Sequence, residues 1–270
     1  MKIPGLGGYS PWRIGLCILI FAVATVRASE PVHQPEVLQR KPHDPEAFTQ
    51  GLLIDGDFWL ESTGRFGKSE LRELDRNSGE VKRSQKLPDR YFGEGLALVK
   101  GRLYQLTWQA GVCRVWNRET FELIREFNYS GEGWGLTTDG THLYMSDGSS
   151  VIRVMDPETF AEVRRFEVRG SRGAVRNLNE MEWVEGELWA NLFETKWIVR
   201  FSPRNGRVLG YLDLSHLPLV MDWHGDQDIL NGIARDPETG GIWVTGKLWR
   251  AFYRIEWPPI PGGNVLDERE

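Results

Sequence analysis

Short apolar runs alternate with Asp- and Gly-centred turns along most of the chain, and one such unit comes round five times. The first copy starts at Phe48, runs through Gly51-Leu52-Leu53-Ile54, turns at Asp55-Gly56-Asp57 and returns through Phe58-Trp59-Leu60. The second spans Phe92 to Trp108, with Gly95-Leu96 and Leu103-Tyr104 in the matching places. The third runs from Gly133 to Tyr144 and the fourth from Asn179 to Trp189. The fifth joins Asn231-Gly232-Ile233-Ala234 to Gly240-Gly241-Ile242-Trp243. Each copy reads as strand, turn, strand, the last carrying a large apolar residue beside an aromatic, which is hairpin chemistry. Matched positions Gly51, Gly95, Gly135, Met181 and Gly232 are 44, 40, 46 and 51 residues apart. A second hairpin follows most units, as in Leu71–Val81 and Val151–Phe160, with turn signals at Asn77-Ser78-Gly79 and Asp156-Pro157-Glu158-Thr159. Four strands in a repeat of about 40–50 residues is the period of propeller blades. The pattern predicts an all-β fold, a five-bladed β-propeller with four antiparallel strands per blade. After Trp257 the chain meets Pro258, Pro259 and Pro261, which stop a strand, so the fifth blade is one strand short. Val32–Arg40 is predicted to supply that strand from the N-terminal side, closing the ring and covering an open sheet edge.

The 12 tryptophans and the scarcity of helix-favouring stretches agree with strands and turns. Residues 1–28 break the pattern. Lys2 and Arg13 precede a run of 13 residues, Ile14–Val26, that is mostly apolar, and Val26-Arg27-Ala28 resembles a small-residue cleavage site. A membrane-spanning helix needs about 20 apolar residues, which favours a signal peptide over a retained anchor. The expected organisation is therefore a signal peptide at 1–28 and one propeller domain at 29–270, periplasmic or secreted. Removing 1–28 takes away Lys2, Arg13 and Arg27 and no acids, so the net charge falls by three, from −5 to −8. An acidic domain of this kind disfavours a nucleic-acid role, which would call for a basic face. Cys113 is then the only cysteine, so no internal disulfide forms and the core alone must hold the domain. Its setting, Val112-Cys113-Arg114-Val115, reads as a buried core position. Lys82-Arg83 and Arg164-Arg165 fall on outer strands and read as solvated faces.

Innermost blade strands run along the propeller axis, so residues just before the repeated glycine should gather at one mouth. These are Gln50, Glu94, Trp134, Glu180 and Asn231. Four residues beyond the aromatic of each second strand come Thr63, Trp108, Gly148, Phe193 and Lys247, returning to the same end. Such chemical variety suits a pocket. The plainer alternative is that Trp108 and Trp134 fill the core while Glu94 and Lys247 pair for structure.

Several stretches carry a more specific signal. His43-Asp44-Pro45-Glu46-Ala47-Phe48-Thr49-Gln50-Gly51-Leu52, Phe92-Gly93-Glu94-Gly95, Asn179-Glu180-Met181-Glu182-Trp183, Leu188-Trp189-Ala190-Asn191, Leu230-Asn231-Gly232-Ile233-Ala234 and Val244-Thr245-Gly246-Lys247 resemble the plant and bacterial type of glutaminyl cyclase. The resemblance covers nearly all of the expected mature chain. It implies a five-bladed propeller that converts the N-terminal glutamine of peptides or proteins to pyroglutamate and releases ammonia. It places the proton-handling glutamate at Glu94 and substrate-holding amides at Gln50 and Asn179. Pocket tryptophans fall on Trp108 and Trp134, flanking aromatics on Phe48 and Phe92, and a lysine on Lys247. A further family tryptophan falls on Phe193, which keeps an apolar wall but loses the indole N–H.

The implied reaction is intramolecular, so the lack of a Ser-His-Asp or Cys-His set is expected. No cofactor is expected for catalysis and no metal ligand is assigned, although a structural calcium in the channel is compatible with the fold. The expected partner is a peptide bearing N-terminal glutamine, and the expected state is a monomer touching membrane only through its signal segment. Two alternatives stand beside this reading. A metal-dependent propeller lactonase would use a channel cation, with Glu94, Glu180 and Asn231 as the candidate set. The five histidines show no HExxH-type spacing, and Asp222-Trp223-His224-Gly225-Asp226 reads as a loop rather than a metal site. A non-enzymatic binding module is the other, since a propeller by itself dictates no chemistry.

Overall fold

The computed structural model describes Met1 and residues 29–219, 221 and 229–257. The segment read as a signal peptide, the Asp222–Asp226 stretch and the prolines beyond Trp257 lie outside the described residues.

Two short strands lead, β1 (Val32–His33) and β2 (Val37–Pro42). Blade 1 is then built by β3 (Thr49–Asp55), β4 (Phe58–Thr63), β5 (Glu70–Asp75) and β6 (Val81–Lys86). Blade 2 comprises β7 (Gly93–Val99), β8 (Arg102–Thr107), β9 (Val112–Asn117) and β10 (Leu123–Asn128). Blade 3 comprises β11 (Leu136–Thr138), β12 (Leu143–Met145), β13 (Val151–Met155) and β14 (Glu162–Glu167). A small hairpin, β15 (Arg169–Gly170) and β16 (Gly173–Ala174), leads to blade 4: β17 (Leu178–Val184), β18 (Glu187–Leu192), β19 (Trp197–Phe201) and β20 (Val208–Asp213). Blade 5 takes β21 (Leu230–Arg235), β22 (Ile242–Gly246) and β23 (Ala251–Ile255) from the end of the described chain.

The fourth strand of blade 5 is β2, antiparallel to β23, with Val37 opposite Ile255 and Lys41 opposite Phe252. Closure from the N-terminal side is thus as expected, but Val32–Arg40 does not act as one strand. Pro35 has no N–H for a ladder, and the chain divides around it. β1 lies parallel against β20 of blade 4, with Val32 opposite Tyr211, while β2 completes blade 5 and extends to Pro42. The leading segment therefore ties two blades.

Each inter-blade seam holds its own apolar cluster. Leu60, Leu71 and Tyr91 meet Leu103 and Trp116 between blades 1 and 2. Tyr104 and Cys113 meet Leu143 and Met155 between blades 2 and 3; the cysteine is fully buried, as its setting predicts. Ile152 meets Leu188 and Phe201 at the next seam, and Trp189 meets Val244 and Tyr253 after that. Trp59, Leu74, Trp243 and Phe252 close the ring between blades 1 and 5. The basic outer-strand pairs are more than solvated faces. Arg83 covers the Phe121 ring at 3.8 Å and reaches carbonyls of blade 2, and Arg164 donates to Arg204 O and Pro203 O of blade 4.

Along the axis the repeated glycine allows close approach. A Cβ on Gly95 would fall 2.4 Å from Leu136 N, and one on Gly135 2.1 Å from Asn179 O. Blade 4 has Met181 there instead, and a side chain does the joining. Glu180 accepts from Leu52 N of blade 1 (3.3 Å) and Ile233 N of blade 5 (2.8 Å).

Candidate active site

In four of the five blades the innermost hairpin slips register at the same place. The shifts lie between Thr49 and Gly51, Gly93 and Leu96, Leu178 and Met181, and Leu230 and Ile233. A bulge leaves residues unpaired and re-aims their side chains. Gln50, Glu94, Asn179 and Asn231 all sit in these slips and turn toward one mouth of the channel. There a cavity of about 220 Å³ is lined by Phe48, Gln50, Phe92, Glu94, Trp108, Trp134, Asn179, Phe193, Ile229 and Lys247. Every site residue expected from the sequence is in this lining. Ile229 joins them, and Glu180 is not among them.

Glu94 is 4 % exposed, and its Oε1 accepts from Gln50 Nε2 at 3.0 Å. Gln50 is held in turn, because Asn231 Nδ2 donates to Gln50 Oε1 (3.0 Å) and to Thr49 O (2.9 Å). Gln50 thus spends its carbonyl and one N–H on orienting the acid, which leaves it little for a ligand. Asn179 differs: its Oδ1 is buried without a hydrogen-bond partner, an open site for an incoming donor. Burial pushes the Glu94 carboxyl well above the usual carboxylate range; the charge of Lys247 opposes this and that of Glu132 adds to it. Lys247 is itself drawn down to about 8 by burial, against the pull of Glu94.

The walls form a circuit. Phe48 meets Phe92 edge-on at 6.1 Å between centroids, and Phe92 meets Trp108 at 5.6 Å. Trp134 meets Phe193 at 5.4 Å. The Lys247 ammonium lies 5.0 Å from the Phe193 centroid and 4.9 Å from that of Phe48, bridging those two rings. Glu132 bridges the remaining gap, with Oε2 accepting from Trp108 Nε1 (2.8 Å) and Trp134 Nε1 (2.9 Å). Glycine seats two of the rings: a Cβ on Gly64 would come within 2.3 Å of the Phe92 ring, and one on Gly148 within 2.7 Å of the Trp134 ring.

The sequence pattern misses Glu132. It lies in the irregular link from β10 to β11, outside the repeat, and its one signal is an acid two residues before a pocket tryptophan. Asn231 is in the predicted ring of mouth residues with a role only in the cation alternative, and the structure makes it the support of Gln50. The set Glu94, Glu180 and Asn231 does not converge on the cavity, since Glu180 gives both oxygens to backbone N–H groups. Among the described residues no group of three or more His, Cys, Asp or Glu is placed to hold a metal ion.

A closed ring of blades with a buried, proton-hungry acid in an aromatic pocket at one mouth defines a propeller of the enzyme type. Residues 14–257 match the family model described as glutamine cyclotransferase. The chain belongs to that family. It is 41% identical over 247 residues to glutaminyl-peptide cyclotransferase of Arabidopsis thaliana, covering 89% of this chain and 77% of the relative. The crystal structure of Myxococcus xanthus glutaminyl cyclase superposes with a TM-score of 0.78 at 34% identity, covering 84% of this chain and 98% of that one.

Proposed function

We propose that this protein is a glutaminyl-peptide cyclotransferase that closes the N-terminal glutamine of a peptide into pyroglutamate at the Glu94 pocket. The observation that carries the reading is the placement of Glu94, an acid of raised proton affinity in a cavity of about 220 Å³ walled by aromatic rings. The pocket is smaller than the roughly 300–1,000 Å³ of sites for larger ligands, and its aromatic walls suit a curled, uncharged side chain.

The α-amine of the substrate attacks its own γ-carboxamide carbon, forming the lactam C–N bond. Glu94, ionised, takes the proton that the nitrogen sheds. It then returns that proton to the departing amide nitrogen, which leaves as ammonia as the second C–N bond breaks, so proton and charge balance over the cycle. Asn179 is the open amide for positioning the γ-carboxamide, and Gln50 with Asn231 keeps the acid aimed. The rings hold the glutamine in its near-attack shape. No external nucleophile and no metal enter this scheme. Residues 1–28 fit an export signal, which suits an enzyme that meets finished N-termini outside the cytoplasm.

The test is incubation with a Gln-initiated peptide, with and without EDTA, followed by mass spectrometry and an ammonia assay. The expected result is loss of the mass of one ammonia, unaffected by chelation. Glu94→Gln keeps the acceptor for Gln50 and should fold as the wild type does, yet lose at least ~100-fold in kcat. Near-normal turnover in that variant would remove Glu94 as the proton carrier.

A further inference from the structure

Trp108 and Trp134 belong to different blades. Trp108 follows β8 of blade 2, whereas Trp134 lies just ahead of β11 of blade 3. Each indole packs against a phenyl ring, Trp108 against Phe92 and Trp134 against Phe193. The two indoles are joined through a single oxygen atom, Glu132 Oε2. The other oxygen, Oε1, accepts from Gln109 Nε2 at 3.0 Å. Burial would raise the Glu132 carboxyl, but hydrogen bonds from Trp134, Gln109 and Trp108 outweigh it and hold the group below its ordinary value. It is thus an anion with three N–H donors converging on it. Charge-assisted bonds of this kind are short and about twice as strong as neutral ones. The carboxylate lies on the side chain of a link with no regular pairing, so nothing in blade packing demands an acid there.

We infer that Glu132 is a positioning residue for the reaction: it clasps the indoles of two neighbouring blades into one wall, and sets a fixed negative charge beside the pocket. This rests on the cyclisation reading of the pocket. The wall fixes how tightly the glutamine side chain is held, so the clasp governs affinity. The charge acts on the general base. Gln50 donates to Glu94, and the titratable groups whose charge bears on it are Lys247, Glu132 and Tyr129, whose hydroxyl donates to Thr107 O. Of these, Lys247 favours the ionised acid and Glu132 disfavours it. Glu132 therefore makes Glu94 a stronger base, and neutralising it should extend activity toward acid.

Two variants separate the clasp from the charge. Glu132→Ala loses both. Glu132→Gln keeps an oxygen for the two indoles while the exposed Gln109 amide can turn, so it loses the charge alone. With a Gln-initiated peptide, Glu132→Ala is expected to raise KM about tenfold, the worth of one hydrogen bond to a charged group. Its near-UV circular dichroism should also change as the indoles lose their fixed angle, at unchanged far-UV signal. Glu132→Gln should restore KM and the near-UV spectrum, yet move the acid limb of the kcat–pH profile to lower pH. Unchanged KM and near-UV spectrum in Glu132→Ala would overturn the clasp, as would a Glu132→Gln no better than alanine. An acid limb that stays put or moves upward in Glu132→Gln would overturn the role of the charge. If the wild type does not cyclise glutamine, the reading of the pocket falls, and the near-UV arm still decides whether Glu132 holds the indoles.

Discussion

At the scale of single residues, Lys247 is the counterpart of Glu132. It closes the ring circuit on the opposite side by lying between Phe193 and Phe48, and its charge stabilises the ionised form of Glu94. Removing that charge leaves burial and Glu132 acting together, so the proton is held more tightly and the base is unmasked only at higher pH. Lys247→Met is therefore expected to move the acid limb of kcat upward, each unit of displacement lowering the rate at pH 6 by about tenfold. A pH-rate series on the variant checks this, and a downward displacement would contradict the assignment. In the wild type, activity should climb from pH 6 because the substrate amine, with a pKa of about 7.7–8.0, must also be neutral. The gain should end as Lys247 loses its proton through about 8. Most pocket residues were legible in the sequence because they recur near one phase of a repeat: Gln50, Glu94 and Trp134 stand one residue before the matched position and Asn179 two before it, and Trp108, Phe193 and Lys247 at the return of the second strand. Glu132 was not legible because it occupies no repeat position. The commitment of Gln50 to Glu94 was hidden as well, since an amide in a motif does not reveal which of its atoms is already in use.

At the scale of elements, the informative feature is the slip in four of the five innermost hairpins. Strand pairing alone would point alternate side chains into the blade seams. In those four blades the slip lets a residue escape that alternation and face the mouth, which is how an extended β-ladder comes to present glutamine, glutamate and asparagine side by side. The hairpins were readable from Gly and Asp turns, and those turns are built as expected: Asp75 Oδ1 accepts from Asn77 N and Ser78 N, and Asp156 Oδ1 from Glu158 N and Thr159 N. The slips were not readable, because a bulge alters pairing without altering composition. The leading segment shows the same limit. Its role in closure followed from the missing strand, but its division around Pro35 between two sheets depends on where β20 lies. Deleting residues 29–41 removes β1 and most of β2, leaving the outer edges of blades 4 and 5 open. At about 1 kcal/mol for each lost hydrogen bond, and about 2–4 °C for each kcal/mol in a domain of this size, the melting temperature should fall by roughly 10 °C. A thermal melt of the truncated protein within a degree or two of the full chain would show that the seams alone close the ring.

At the scale of the whole molecule, the axis is held by acid side chains, the buried Glu180 and the half-buried Glu182, as well as by close backbone contact. Burial raises Glu180 well above the usual range, with the neighbouring Glu182 charge adding to the effect. Glu182 is pushed up to about 7 by burial, against hydrogen bonds from Arg235 N, Thr137 and Trp183 N. A carboxyl whose folded value lies above its unfolded value of about 4.3 binds its proton more tightly in the folded state, so its contribution to stability is lost as pH rises between the two. Glu182→Gln cannot ionise. Its melting temperature relative to the wild type should therefore improve from pH 5 to about pH 7 and level off above it, and a difference that stays constant between pH 5 and 7 would contradict the burial account. Comparing the two proteins at each pH cancels groups of opposite sign, such as Asp236, held down at about 2 by Arg76 and the Thr239 turn despite burial.

The pairing of β2 with β23 also sets an order of events. A polypeptide made from its N-terminus presents this latch long before the part that the latch fastens, so the ring cannot lock until β23 has followed.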